Sequence, residues 1–272
     1  MRILVTGAAG SIGRVVTLGL CARGHEVVGL DRVPEPEGFT GDWHTIDCSD
    51  PEAVLAVFAE QHFDGVVHLA GLPGELDLPA ELTSHVITTA ALLDAMVEHR
   101  VPRIVYASSN HAVGRTPRPA GLDLTVSDDA LPRPDTFYGV AKVAAEALLR
   151  LYADRHSIDA VSCRIGSFLQ EPTTTRNLST WLSHEDAVRM VEAALTASAP
   201  GYAVLYGISN NTDAWWDLEP GRRLGYEPQD DAATYRDRIE PGEDDEREGA
   251  YVGGPFVGVE FYRPALDLGA GP

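Results

Sequence analysis

Tyr138 and Lys142 form a Y-x-x-x-K pattern within Phe137–His156, a segment whose periodicity predicts a helix. Side chains four residues apart share one helical face, which brings the lysine ammonium close to the phenol. A nearby cation favours the phenolate and lowers a tyrosine pKa from its ordinary value of about 10. Such a tyrosine can take a proton from a hydroxyl group while a hydride leaves the adjoining carbon. The alternative is an exposed aromatic residue beside a solvated lysine.

A second polar group, Ser108-Ser109-Asn110-His111, follows an apolar, β-forming run in RIVYASSNHAVG. Polar side chains at the end of a buried parallel strand mark the edge of the sheet where ligands bind. A serine close to a histidine also suggests hydrolysis, but no nucleophile elbow surrounds this serine. We therefore predict that Ser109 hydrogen-bonds the reacting oxygen and orients it.

A glycine-rich turn in ILVTGAAGSIGRVV places Gly7, Gly10 and Gly13 between a strand and a helix, with GxxGxxG spacing. Glycines let the backbone approach a pyrophosphate, and the helix start at Ser11 and Ile12 offers unpaired N–H groups. A strand before the motif and a helix after it are the context that makes it specific. We predict a dinucleotide site at this turn.

Asp31 ends the second predicted strand, where a carboxylate can bind the adenosine ribose hydroxyls and repel a 2′-phosphate. This arrangement predicts NAD as the cofactor, not NADP, although the neighbouring Arg32 could attract a phosphate. A simple cap at the strand end is the alternative for Asp31. Asp47, in TIDCSD, could contact the adenine edge or cap a turn.

Alternating strand-like and helix-like segments must position these residues. Near-continuous apolar strands joined by helices predict a Rossmann-type α/β fold, a doubly wound parallel sheet with helices on both faces. The predicted strands are Arg2–Thr6, Glu26–Asp31, 65–69, 103–108, 160–165 and 203–207. We expect residues 1–165 to bind the dinucleotide and carry the catalytic residues, and 166–272 to form a small substrate-binding part and tail, interleaved into one globular unit. The acidic stretch 241–249 is predicted to be a solvated loop.

The composition limits the possible partners. The 272-residue chain has a net charge of −20, which argues against nucleic acid and against an anionic membrane surface. No apolar run approaches the roughly 20 residues of a membrane span. Cys21, Cys48 and Cys163 lack metal-ligand spacing, so we expect no metal site and reduced cysteines in a cytoplasmic protein.

Over nearly its whole length, the chain resembles the extended branch of the short-chain dehydrogenase/reductase superfamily. The resemblance rests on TGAAGSIG, on Asp31, on HLAG with Leu69, Ala70 and Gly71, on ASSN, and on Tyr138 with Lys142. The stretches SSNHAVG, RIGSFLQEP, TTRNLSTWLSHEDAV, NTDAWWD and RRLGYEPQD are similar to NAD-dependent uronate dehydrogenases. Those enzymes oxidise the C1 hydroxyl of cyclic galacturonate or glucuronate to an aldarolactone.

This resemblance implies a role for each matched residue. Tyr138 is the implied general base, Lys142 lowers its pKa and binds ribose, and Ser109 orients the C1 oxygen. The implied cofactor contacts include Leu69, Ala70 and Gly71, and the implied sugar contacts are Asn110, His111 and Ser167. Arg176 is implied to pair with the substrate carboxylate, which suits a guanidinium because it forms two-pronged, charge-assisted bonds. For His111 the alternative is a structural histidine bonded to a neighbouring loop.

Three positions depart from the family pattern and keep other functions open. Pro73 replaces a serine that contacts the sugar, and His85 and Thr88 replace an asparagine and a glycine. The runner-up is therefore a dehydrogenase of another aldose or a sugar phosphate, because Arg176 could also bind phosphate.

Other members of the branch fit the sequence less well. A dehydratase needs an acidic pair where Asn110 and His111 stand, and an epimerase usually has a larger C-terminal part. A dinucleotide-sensing regulator would lack the Tyr138 and Lys142 pair. We also expect a homo-oligomer, a dimer or higher, because two-fold dimers are the commonest assembly.

Overall fold

A parallel β-sheet forms the centre of the protein, described by a computed structural model over residues 1–118, 126 and 129–266. The strands are β1 (Arg2–Thr6), β2 (Glu26–Asp31), β3 (Asp42–Thr45), β4 (Gly65–His68), β5 (Arg103–Ser109), β6 (Asp159–Ile165), β7 (Ser167–Phe168), β8 (Trp181–Leu182) and β9 (Tyr202–Gly207). Within these residues, seven strands form one sheet in the order β3-β2-β1-β4-β5-β6-β9, and β7 pairs with β8. The chain order reverses between β1 and β4, which is where such sheets bind ligands. The predicted doubly wound α/β fold is confirmed.

Helices connect the strands and cover the sheet. They are α1 (Ser11–Ala22), α2 (Pro51–Glu60), α3 (Leu78–Glu81), α4 (Thr88–His99), α5 (Phe137–His156), α6 (Asn177–Thr180), α7 (His184–Thr196), α8 (Glu219–Arg223) and α9 (Asp245–Gly249). Local chemistry sets several ends: Asp50 caps α2, and the Ser183 hydroxyl accepts from Asp186 N at 2.9 Å to cap α7. Between α3 and α4, residues Leu82–Ile87 form a π-helical segment, a feature frequent at functional sites.

The hydrophobic core has two layers, one on each face of the sheet. In β1, Ile3 and Val5 belong to one buried cluster and Leu4 to the other, because successive strand residues point to opposite faces. Trp215 and Trp216 lie in the first cluster, 6% and 3% exposed, so they serve the core. No helix of the described residues is long and apolar enough to cross a membrane.

The structure completes one prediction about the chain and corrects another. Strand β3 lies between β2 and Asp47, where the pattern gave no bounds because the exposed edge of the sheet leaves only a weak apolar signal. The acidic stretch 241–249 is not wholly a loop, since α9 (Asp245–Gly249) is one exposed helical turn. The C-terminal part also contributes β9 to the sheet, while the division at residue 165 stays a prediction.

Candidate active site

A cleft of about 650 Å³ opens beyond the carboxyl ends of β1, β2 and β4. The predicted cofactor residues that line it are Gly7, Gly10, Asp31, Asp47, Leu69, Ala70 and Gly71. Ser11, Ile12 and Gly13 form the first turn of α1, whose start at Gly10 borders the cleft. Tyr138 and Lys142 are not among the lining residues, but Gly71 of the cleft faces the His85 ring, which packs on Tyr138, so the cleft adjoins this pair.

The glycine turn has the geometry of a pyrophosphate cradle. A β-carbon on Gly7, whose φ is +68°, would lie 2.7 Å from the Ala70 backbone nitrogen, and one on Gly13 would lie 2.1 Å from Gly7 O. Gly10, at the helix N-cap, makes no side-chain capping bond, and the first turn holds no acidic residue. The first N–H groups of α1 are thus free of side-chain partners and can bind a phosphate, so these residues fit a dinucleotide.

Both predicted carboxylates of the cleft also organise the backbone around it. Asp31 Oδ2 accepts from Ala9 N at 3.0 Å and Oδ1 accepts from Val33 N at 3.3 Å, which ties the glycine turn to β2. Asp47 accepts from the backbone N–H and the hydroxyl of Ser49, both at 2.8 Å, and these bonds lower its pKa. Asp47 therefore caps a turn and faces the cleft at once.

The other wall of the cleft was missed by the motif analysis. It consists of the loop after β4, the start of α3 and the π segment, and includes Leu72, Pro73, Pro79, Ala80, Thr83, Ser84 and Thr88. Pro73, expected near the sugar from its position in the family pattern, lines this dinucleotide cleft. Of these residues, the sequence had singled out only Pro73 and Thr88, as departures from the family pattern.

The predicted catalytic residues come together at the start of α5. Lys142 Nζ donates to Ala107 O at 2.7 Å and lies 5.2 Å from the centre of the Tyr138 ring. The Ser109 hydroxyl, at the end of β5, hydrogen-bonds the Tyr138 phenol. The three groups are therefore arranged for proton transfer at one point.

The proton affinities at this point differ from the sequence-based expectation. Burial raises the pKa of Tyr138 to about 12, and the Ser109 bond opposes that rise. Burial also lowers the pKa of Lys142 to about 7, opposed by Glu81 and Glu146. A depressed tyrosine pKa was expected from Lys142, but burial disfavours the phenolate and the ammonium alike. The phenol thus needs a further positive charge beside it to act as a base near neutral pH.

Ser108 and Ser109 have different tasks because neighbouring strand residues face opposite ways. Ser108 Oγ donates to Glu146 Oε1 at 2.5 Å, on the far side from the phenol. Arg164 binds the same carboxylate with two bonds of 3.0 and 2.8 Å. This buried network fixes the end of β5 and leaves Ser109 to the catalytic side.

A C-terminal segment brings the predicted sugar contacts together. The carbonyl of Val252 accepts from Asn110 Nδ2 at 3.3 Å and from Arg176 Nη2 at 2.5 Å. Ser167 Oγ lies 3.5 Å from Arg176 Nη1. Arg176 Nε is buried without a hydrogen-bond partner in the described residues, and burial lowers the pKa of this guanidinium to about 10. Gly254 permits the approach, since a β-carbon there would lie 2.3 Å from Arg176 Nε.

His111 is bonded to a loop through one of its two ring nitrogens. Its Nδ1 lies 2.8 Å from Asp135 Oδ2, a carboxylate with a fully buried side chain. The ring also contacts Phe256, with centroids 4.5 Å apart, and Tyr138 at 5.9 Å. The structural alternative therefore holds for Nδ1, whereas Nε2 makes no hydrogen bond within the described residues and is available to a ligand.

Two acidic residues of this site were not predicted from the sequence. Glu75 accepts from Phe137 N at 2.9 Å and from Tyr138 N at 3.0 Å, which fastens the loop after β4 to the start of α5. Asp135 orients His111. Neither residue lies in a motif, and the chain has 41 acidic residues, so nothing local distinguishes them. In the described residues, no group of three or more His, Cys, Asp or Glu side chains could hold a metal ion.

Comparison with known proteins gives matches over most of the chain. The NAD dependent epimerase/dehydratase family matches residues 3–184. Uronate dehydrogenase of Agrobacterium fabrum is 37% identical over 96% of this chain and 98% of that protein. An NAD-dependent glucose-6-phosphate dehydrogenase of Haloferax volcanii is 34% identical over 88% of this chain and 97% of that protein. The crystal structure of a mutant uronate dehydrogenase from Agrobacterium tumefaciens complexed with NAD is 36% identical, with a TM-score of 0.87 and coverage of 97% and 98%.

Proposed function

Because this chain belongs to the NAD dependent epimerase/dehydratase family, we propose that it oxidises the C1 hydroxyl of a cyclic uronic acid, galacturonate or glucuronate, to an aldarolactone. The chain is an NAD-dependent oxidoreductase, and its resemblance to uronate dehydrogenases is confirmed. The observation that supports the anionic substrate is Arg176, a buried guanidinium that meets Asn110, the neighbour of Ser109, at the carbonyl of Val252. In a chain of net charge −20, a placed cation is what an anionic sugar requires.

The residues of the cleft would hold NAD along its length. Gly7, Gly10 and the first turn of α1 would bind the pyrophosphate, Asp31 the adenosine ribose, and Lys142 the nicotinamide ribose. When bound, NAD⁺ supplies the hydride acceptor and a positive charge. That charge favours the phenolate of Tyr138, whose pKa burial otherwise raises to about 12.

The chain's own residues would complete the oxidation. Tyr138 takes the proton of the C1 hydroxyl as the C1–H bond electrons leave as hydride, and the C1=O bond of the lactone forms. Ser109 orients the reacting oxygen beside the phenol. Arg176 binds the carboxylate, and the sugar hydroxyls are bound by Asn110, Ser167 and the Nε2 side of His111.

A screen with NAD tests this function directly. We expect NADH formation with galacturonate or glucuronate, and much lower kcat/KM with glucose, because glucose has no group to pair with Arg176. Glucose 6-phosphate is the informative alternative, since Arg176 could bind phosphate and the Haloferax volcanii relative is a glucose-6-phosphate dehydrogenase. NADH from the phosphate ester but not from either uronate would contradict the proposed substrate.

Asp31→Ala is expected to weaken the preference for NAD. Loss of the carboxylate removes the ribose bond and the repulsion of a 2′-phosphate, and it leaves Arg32 near that position. We expect the kcat/KM ratio of NAD over NADP to fall at least about tenfold, which corresponds to about 1.4 kcal/mol. Glu35→Gln, an exposed carboxylate in the following loop, is the matched control and should leave the ratio unchanged. An unchanged ratio in Asp31→Ala would mean that Asp31 only ties the glycine turn to β2 and does not select the cofactor.

We also propose a homo-oligomer in the cytoplasm. Ile87, Val140 and Leu151 are exposed apolar residues on the π segment and α5, and such residues can pack against a second copy. Cys21, Cys48 and Cys163 are all free thiols, which suits a reducing compartment. Light scattering of the purified protein measures the assembly, and a monomer at micromolar concentration would contradict it.

A further inference from the structure

The proposed oxidation leaves a proton on Tyr138 at every turnover. An enzyme that releases NADH does not return that proton to its product, so the phenol must pass it to solvent before the next cycle. Lys142, the neighbouring basic group, is only 5% exposed, and its ammonium already donates one N–H to Ala107 O. A path for the proton therefore has to run through buried groups near this pair.

Glu81 and His85 form a buried acid–base pair next to Tyr138. They are four residues apart, at the junction of α3 and the π segment, with side chains 0% and 2% exposed. Glu81 Oε2 lies 3.3 Å from His85 Nε2, and the imidazole lies edge-on to the Tyr138 ring with centroids 5.1 Å apart. The catalytic tyrosine thus has Lys142 on one side and this pair on another.

The remaining bonds of the pair define which atoms are free. His85 Nε2 is 3.1 Å from Leu72 O, which can only accept, so the proton of the neutral ring lies on Nε2. His85 Nδ1 and Glu81 Oε2 are buried without a hydrogen-bond partner in the described residues. Unsatisfied buried polar atoms are rare and call for an explanation. Nδ1 is the free acceptor atom of a ring that packs on Tyr138, on the edge that faces Gly71, and Oε2 is the free acceptor atom 3.3 Å from Nε2.

Glu81 also borders a route to solvent. Its Oε1 accepts from Leu76 N at 2.8 Å, and Leu76 and Ala80 line a surface cavity of about 390 Å³. The opposite wall of that cavity is the C-terminal tail, with Tyr262 and Arg263. Arg263 is also close enough to Glu81 to act on its carboxylate electrostatically. One hydrogen bond therefore joins buried Glu81 to a residue of the cavity wall.

We propose that His85 and Glu81 relay the proton from Tyr138 to this cavity, an inference that rests on the proposed oxidation. His85 Nδ1 accepts the proton that leaves the tyrosine hydroxyl, directly or through one water molecule, and the Nε2 proton passes to Glu81 Oε2. Glu81 then releases its proton to the cavity and returns to a carboxylate. Exchange with water then takes the Nδ1 proton away and returns one to Nε2, and the Leu72 carbonyl favours the resulting Nε2–H tautomer.

The charges around the pair favour a concerted transfer. Burial lowers the pKa of His85 to about 3, and Lys142 adds to that effect, so an imidazolium does not accumulate. Burial raises the pKa of Glu81, which makes its carboxylate a better proton acceptor. The other titratable groups that face the pair are Tyr138 and Lys142, Asp77 and Arg263 beside Glu81, and the neutral His68, which is bonded to Thr6.

Stopped-flow measurement of NADH absorbance together with a pH-indicator dye tests the relay. In the wild-type enzyme, preincubated with NAD and mixed with galacturonate, NADH and the released proton should appear together. In Glu81→Gln and in His85→Phe, the first-turnover burst of NADH should remain, whereas proton release and kcat should slow at least tenfold. Glu98→Gln, an exposed carboxylate on α4, is the matched control and should behave as wild type.

A difference between the rates of NADH formation and proton release distinguishes a relay from a structural role. If NADH formation and proton release slow by the same factor, or neither slows, the relay is wrong. Glu81→Gln keeps the side-chain volume, so it still tests the relay if His85→Phe does not fold. Failure of the proposed function looks different, because the wild-type enzyme would then make no NADH from either uronate. If it oxidises another aldose, the same comparison with that aldose decides the relay.

Discussion

Tyr138→Phe is expected to lower kcat for uronate oxidation by a factor of about 100 to 10,000, the usual contribution of a general base. The substitution removes one oxygen, the atom that receives the C1 hydroxyl proton, and keeps the ring that packs on His85 and His111. KM for the uronate should change little, because the carboxylate and hydroxyl contacts come from other residues. The rate of NADH formation at saturating substrate measures this effect.

The same helix offers a matched control for this substitution. Tyr152→Phe also removes one phenol oxygen from α5, but its partner is Asp94, away from the site. This control should keep wild-type kcat. A base acts in its deprotonated form, so wild-type kcat should rise with pH until the phenol titrates, and this rise should be absent from Tyr138→Phe. A variant that keeps more than a tenth of the wild-type rate would exclude Tyr138 as the base.

Arg176→Ala is expected to raise KM for galacturonate or glucuronate about 100-fold and to change KM for a neutral aldose little. Hydrogen bonds to charged groups contribute about 1.5–3 kcal/mol each, and about 2.7 kcal/mol corresponds to a factor of 100. The bonds act on a carboxylate away from C1, so kcat should fall less than KM rises. Initial rates over a range of uronate and neutral aldose concentrations give both constants.

Two further variants separate charge, geometry and structure at this position. Arg176→Lys keeps the cation without the planar fork and should give an intermediate KM. Arg150→Ala removes an exposed arginine that pairs with Asp154 and should leave KM unchanged. Arg176 also holds the Val252 carbonyl, so the thermal midpoint of each variant shows whether the C-terminal segment stays in place. An equal rise of KM for uronate and neutral aldose would contradict a carboxylate contact.

The fold and the dinucleotide half of the site could be predicted from the sequence, because their signals are local. Apolar periodicity and the glycine turn predict β1, α1 and the phosphate-binding helix start from contiguous residues. Asp31 is set at the cleft by its position at the end of β2, and the spacing of Tyr138 and Lys142 fixes their common helical face. Each of these relations depends on backbone geometry over a few residues.

The contacts at the substrate end of the site and the pKa values of its catalytic residues depend on the tertiary structure. Asn110 and Arg176 meet at the carbonyl of Val252, a residue distant from both in the chain and without side-chain chemistry that a motif could show. The direction of the Tyr138 pKa shift could not be predicted either. The sequence shows a lysine nearby, but it does not show how deeply both groups are buried. Burial and long-range contacts depend on how the whole chain packs, so the spacing of residues within a short segment cannot predict them.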